Sequence, residues 1–222
     1  EKDGLVRGLG TADMKGGCAA MVDAFADAWE EYGHASGVAL ALVVGEEETG
    51  DGTAALLNHY RCPWAVVSEP TGLSPCLGHY GYLEVELTTR GERRHASLAD
   101  HGHQAVDVML HTLLKLTEEL ERRDERVVFN IRDVHSSEAG FAVPDACTSY
   151  LDLHVQPSLS LDEVARGLTR MVEPAVPETV HLSFPTRQEG YVLEQSAPFI
   201  GQFREACQHC GSCAEVCYAE AL

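Results

Sequence analysis

The sequence predicts an α/β protein carrying a second, inserted α+β domain. Three observations lead there. Two short, continuous apolar runs flank a short helical stretch near the start of the chain. Later strands alternate apolar and polar residues. Between residues 80 and 186 the predicted elements follow the order β-α-β-β-α-β. A continuous apolar run suits a strand covered on both faces, and alternation suits a strand with one wet face.

Each element has its own reason. Residues 10–16 (GTADMKG) form a glycine-rich turn, and a helix follows over 17–32 with Met21, Phe25 and Trp29 on its inner side. Residues 38–44 (VALALVV) and 64–67 (WAVV) read as buried parallel strands, with a short helix over 53–60 between them. Residues 82–88 (YLEVELT) alternate and predict an antiparallel strand. A long amphipathic helix over 104–123 follows, then alternating strands over 127–134 and 148–155. Ser160 and Glu163 have capping-box spacing and open a helix to residue 172. The last strand, 179–184, stops at Pro185. The β-α-β-β-α-β order is that of a split βαβ, ferredoxin-like unit. The chain therefore divides into residues 1–77, the first part of an α/β domain; 78–187, the inserted domain; and 188–222, a return to the first domain ending in a cysteine-rich tail.

Bulk properties narrow the function. The 222 residues are 45% hydrophobic and 23% charged, enough for a packed core without disulfides. A net charge of −19 argues against nucleic acid or an anionic membrane as partner. No apolar run is long enough to span a bilayer. No secretion signal is visible, and free thiols rather than a disulfide framework place the chain in the cytoplasm. Four of the eight cysteines, Cys18, Cys62, Cys76 and Cys147, are scattered and read as small buried hydrophobes.

Carboxylates carry the chemistry. Glu46, Glu47 and Glu48 follow one apolar run, Glu69 follows the other, and Asp13 lies in the turn that opens the first helix. Sites in open α/β sheets form beyond the carboxyl ends of the strands. Carboxylates gathered in one crevice repel unless something positive neutralises them, and divalent metal does so. Taken one at a time, these residues are ordinary caps, turns and solvated loops. Their order and settings favour metal.

GTADMKGG (10–17), GEEETGDG (45–52), SEPT (68–71), GYLEVELTTRGERRHAS (81–97) and GFAVPDACTSYLDLHV (140–155) together resemble the zinc peptidase and deacylase family of acetylornithine deacetylase, succinyl-diaminopimelate desuccinylase, aminoacylase and glutamate carboxypeptidase. The resemblance implies a zinc-peptidase-like catalytic layer with an inserted lid, or dimerisation, domain. It implies that Asp13 bridges two zinc ions, that Glu48 and Glu69 each bind one of them, and that Glu47 is the catalytic base. Cobalt or manganese could replace zinc. The implied reaction is hydrolysis of an amide bond in an N-acyl amino acid or small peptide, by a metal-activated water. His95 matches a lid histidine that reaches the partner's active site in dimeric members, so a homodimer through the lid is implied. His154 stands where relatives carry a substrate-binding arginine. Phe141 and Gln104 are further departures, so substrate class stays open.

The family's two histidine ligands have no counterpart here: none precedes Asp13, and the other belongs beyond residue 222. The chain thus reads as a fragment lacking both ends, holding metal weakly and turning over little. Two other readings compete. Cys207, Cys210, Cys213 and Cys217 have the spacing of an iron–sulfur or zinc ligand run. Tyr218 in place of the usual proline, and the lack of a second run, weigh against a cluster and an electron-transfer role. The third reading is a non-catalytic relative that only dimerises.

Overall fold

The computed structural model describes residues 3–72, 75–99, 104–123, 127–172 and 179–209. They fall into two compact units. One holds residues up to Pro75 and from Ser196 on; the other is Cys76–Gln195.

In the first unit, the turn at Thr11–Lys15 leads into helix α1, Gly16–Tyr32. Helix α2, Asp51–Leu57, is shorter. The two strands expected over 38–44 and 64–67 are not formed: both segments run without ladder pairing. Leu42, Val44 and Val67 are 63%, 75% and 66% exposed. An apolar run states a need for cover, but a strand exists only where a neighbour offers its backbone groups. No described segment of this unit does so.

The second unit holds strands β1 (Gly78–His79), β2 (Gly81–Arg90), helix α3 (Ala105–Arg123), β3 (Val127–Ser136), β4 (Ala146–Val155), helix α4 (Leu161–Val172), β5 (Val180–Ser183), β6 (Arg187–Gln188) and β7 (Tyr191–Val192). The main sheet is ordered β3-β4-β2-β5 and wholly antiparallel, with β6 pairing β2. This is the ferredoxin-like order that the sequence predicts. The strands β1, β6 and β7 are additions too short to leave a sequence pattern. Helix α5, Pro198–His209, closes the described chain.

Alternation builds the core. Leu83, Val85, Leu87 and Thr89 of β2, with Cys147, Ser149, Leu151, Leu153 and Val155 of β4, point to the buried face. Helix α3 lays Met109, Leu113, Leu116 and Leu120 on that face, and α4 adds Leu161, Ala165, Leu168 and Val172. The spacing of four, three and four residues is one stripe of an α-helix. Each large side chain removed from water contributes about 1.5–3 kcal/mol. The polar Thr89 hydroxyl is satisfied by donating to the Ala105 carbonyl at 2.6 Å. Of the scattered cysteines only Cys147 is buried; Cys18 is half-buried, and Cys62 and Cys76 are exposed, contrary to expectation.

The other face is a polar network. A bulge in β3 at Arg132, between the pairs Ile131↔Leu151 and Asp133↔Tyr150, aims its guanidinium across the sheet. It donates to Asp152 Oδ1 at 3.0 Å and to Glu84. Tyr82 Oη donates to the same Asp152 oxygen at 2.7 Å. Burial, that hydrogen bond and the nearby negative charge push the Tyr82 phenol up to about 12. The folded value lies above the unfolded one, so the protonated ring stabilises the fold below the unfolded value. The contribution disappears as pH rises through about 12. Tyr82→Phe should therefore flatten the loss of thermal stability between roughly pH 10 and pH 12, measured by unfolding across that range.

Candidate metal centre

The Asp13 turn is set by its glycines and threonine. Gly10 is left-handed (φ 70°), its carbonyl accepts from the Lys15 amide at 2.9 Å, and Thr11 Oγ1 donates to the Gly8 carbonyl at 2.9 Å. Asp13 and Met14 adopt non-helical angles between these anchors, and the peptide joining them is cis. Gly17, at the start of α1, lies against Ser68: a Cβ there would stand 2.3 Å from the Ser68 carbonyl oxygen. Only glycine permits that approach, so it brings the Asp13 turn up to Glu69. Ser68 Oγ is buried beside it without a hydrogen-bond partner.

The glutamate loop is tied to one carbonyl. Gly45, at φ 78°, accepts from the amides of Glu48 (3.3 Å), Thr49 (3.1 Å) and Gly50 (2.7 Å). Thr49 Oγ1 donates to Asp51 Oδ1 at 3.2 Å at the head of α2. Asp51 packs so closely on Gly45 that a Cβ there would lie 1.9 Å from its Oδ1. The side chains of Glu46, Glu47 and Glu48 are left exposed.

Electrostatics show which of these groups meet. The half-buried Glu69 carboxyl is pushed above the usual carboxylate range, first by burial, then by the negative charge of Asp13 and of Glu46, a hydrogen bond with Asp13, and the charge of Glu47. The charges of Asp13, Glu46 and Glu47 thus all act on Glu69, and Asp13 is its hydrogen-bond partner. Among the described residues no three His, Cys, Asp or Glu side chains come together closely enough to enclose a metal ion. The donor chemistry of the Asp13–Glu69 pair fits a divalent cation: two neighbouring carboxylates, one partly dehydrated, are most stable with a positive ion between them.

In the other unit His95 follows β2, in a loop bound to the segment before β4. The Ala96 amide donates to the Phe141 carbonyl at 2.9 Å, and the Val143 amide to the Arg94 carbonyl at 2.7 Å. The two lid-like motifs are thus one structure, with the Phe141 ring 89% exposed beside the His95 loop. His154, exposed on β4, lies opposite Tyr82 with the rings 5.7 Å apart. Of the tail cysteines, Cys207 falls in α5, while Cys210, Cys213 and Cys217 lie outside the described residues. Sequence reading missed Gly17, Ser68, Asp51 and Ser97. For Asp51 and Ser97 a signal existed, a polar side chain two residues from Thr49 or His95, the spacing of a local hydrogen bond.

A profile of peptidase family M20/M25/M40 matches residues 1–220. The acetylornithine deacetylase of Vibrio campbellii is 26% identical over 98% of this chain and 61% of its own length, and that of Vibrio vulnificus is 28% identical over 93% and 59%. The chain thus spans about three-fifths of these curated relatives. Among solved structures, a Staphylococcus aureus tripeptidase superposes with a TM-score of 0.51 at 14% identity, covering 66% of this chain and 40% of that one. A Burkholderia phymatum amidase of the hydantoinase/carbamoylase family gives 0.50 at 16% identity, covering 60% and 35%. At such identities these likenesses speak for the fold alone. Among the described residues no helix is long and apolar enough to cross a membrane. Matched over nearly its whole length, the chain belongs to peptidase family M20/M25/M40.

Proposed function

We propose that this protein is a metal-dependent hydrolase that cleaves an amide bond in an N-acyl amino acid or small peptide. The observation that carries the reading is the carboxylate pair Asp13 and Glu69, whose segments approach closely where Gly17 lies against Ser68. Residues 1–77 and 188–222 form the catalytic domain, and residues 78–187 the lid. Asp13, Glu48 and Glu69 would hold the two zinc ions, with Asp13 shared between them. Cobalt or manganese would meet the same oxygen donors. When bound, the metal pair supplies an acidified water and a polarised carbonyl. Glu47 takes the proton of the attacking water and passes it to the leaving amine. His95, as the resemblance implies, would donate to the oxyanion in the partner's active site. His154 is the candidate for substrate binding.

A catalytic zinc takes three protein ligands and a water, so a two-metal site would need further donors besides Asp13, Glu48 and Glu69. The lid would serve as a homodimer contact through β3, the terminal strand of the sheet, whose outer edge has no ladder partner among the described residues.

The test is hydrolysis of a panel of N-acetyl amino acids and dipeptides by zinc-loaded protein. Release of amine that stops on chelation and returns with zinc, cobalt or manganese is the expected result. Release that is indifferent to chelation would remove the metal from the account.

A further inference from the structure

The loop that carries His95 also decides which ring nitrogen holds the proton. His95 and Ala142 face each other as a single antiparallel bridge, so the backbone around the histidine is fixed. On that frame Ser97 turns back onto the ring. Its amide donates to His95 Nδ1 at 3.3 Å, and its Oγ lies 2.8 Å from the same nitrogen. A backbone N–H only donates, so Nδ1 is an acceptor and carries no proton. The Ser97 hydroxyl then donates as well. In a neutral imidazole the proton is left on Nε2.

We propose that Ser97 is a positioning residue for the hydrolysis. It holds His95 as the Nε2–H tautomer and fixes the ring, so that the donor is set before an oxyanion forms. This inference rests on the role given to His95 above. An oxyanion needs a donor already in place, because reorienting one during the reaction forfeits much of its effect. The opposite tautomer would present a lone pair to a developing negative charge. A serine that merely closed the short turn Ala96–Leu98 would leave the tautomer unaffected when removed.

Nitrogen NMR of the chain with labelled histidine reads the tautomer directly and needs no metal. His95→Gln identifies the signal. The expected spectrum shows Nδ1 unprotonated and Nε2 protonated. Ser97→Ala keeps the amide donor and removes the hydroxyl, so the ratio should shift toward Nδ1–H by at most roughly five-fold, the equilibrium factor of one ordinary hydrogen bond, with Nε2–H still the major form. Ser97→Thr should restore it, and the amide signals of β2 and β4 should stay in place. In the zinc-loaded enzyme Ser97→Ala should lower kcat with little change in KM. A wild-type ring protonated at Nδ1, or a ratio unchanged by Ser97→Ala, overturns the proposal. If the tautomer shifts as expected while His95→Gln hydrolyses substrate normally, the hold of Ser97 on the ring stands and the oxyanion role of His95 is what fails.

Discussion

Glu47→Gln should slow amide hydrolysis by about 10²-fold or more while zinc content stays unchanged. The change keeps the size of the side chain and removes its basicity. A carboxamide cannot take the proton of the attacking water, nor return it to the leaving amine. The consequence should lie in kcat rather than KM, because the lost interaction exists only along the reaction path. Steady-state kinetics with a good N-acyl substrate, together with elemental analysis, checks both halves. Neighbouring Glu46 supplies the contrast. Its charge also acts on Glu69, but it has no assigned proton to move. Glu46→Gln should leave kcat within a few-fold of the original. Equal losses at the two positions would mean that the loop provides only negative charge.

The second large effect concerns stability. Leu153 is fully buried on β4 of the five-stranded sheet, paired with Leu83 of β2 and Phe129 of β3. Leu153→Ala should destabilise the unit by about 2–5 kcal/mol, the sum of lost transfer energy and the cavity left behind. Against a typical domain stability of about 5–15 kcal/mol this is a large fraction. Denaturant unfolding of Cys76–Gln195 signals should show the midpoint falling with an unchanged slope. His154→Ala, the next residue but on the exposed face, should cost far less. A comparable loss at both positions would contradict the assignment of faces.

That contrast also shows why one half of the fold was legible and the other was not. In β2 and β4 the two-residue period states which side chains enter the core, and the partners that receive them lie in the same stretch of chain. Helix α4 announces itself through Ser160 and through the spacing of Leu161, Ala165, Leu168 and Val172. The runs at 38–44 and 64–67 state burial alone; pairing is a property of two segments, and the described residues provide no second one. The bulge at Arg132 was hidden for a similar reason, since it exists only in the register of β3 against β4.

The candidate site was legible as a set of motifs rather than as a place. Asp13, Glu46, Glu47, Glu48 and Glu69 were singled out by their places at a turn and after apolar runs, and the resemblance gave Asp13, Glu47, Glu48 and Glu69 their roles, but the strands expected to bring them together are not formed. The physical link is the missing Cβ of Gly17, which lets Ser68 and hence Glu69 approach the Asp13 turn. Gly45 does the same for the glutamate loop by gathering three amides on one carbonyl.

The most direct test is therefore zinc binding at equilibrium, measured for the wild-type protein and for Asp13→Ala, Glu48→Ala and Glu69→Ala. If Asp13 bridges, its removal should weaken both zinc ions, whereas Glu48→Ala and Glu69→Ala should each weaken one. Zinc binding untouched by Asp13→Ala, or iron and sulfide that vanish in Cys210→Ser, would contradict the carboxylate centre and move the metal to the cysteine tail.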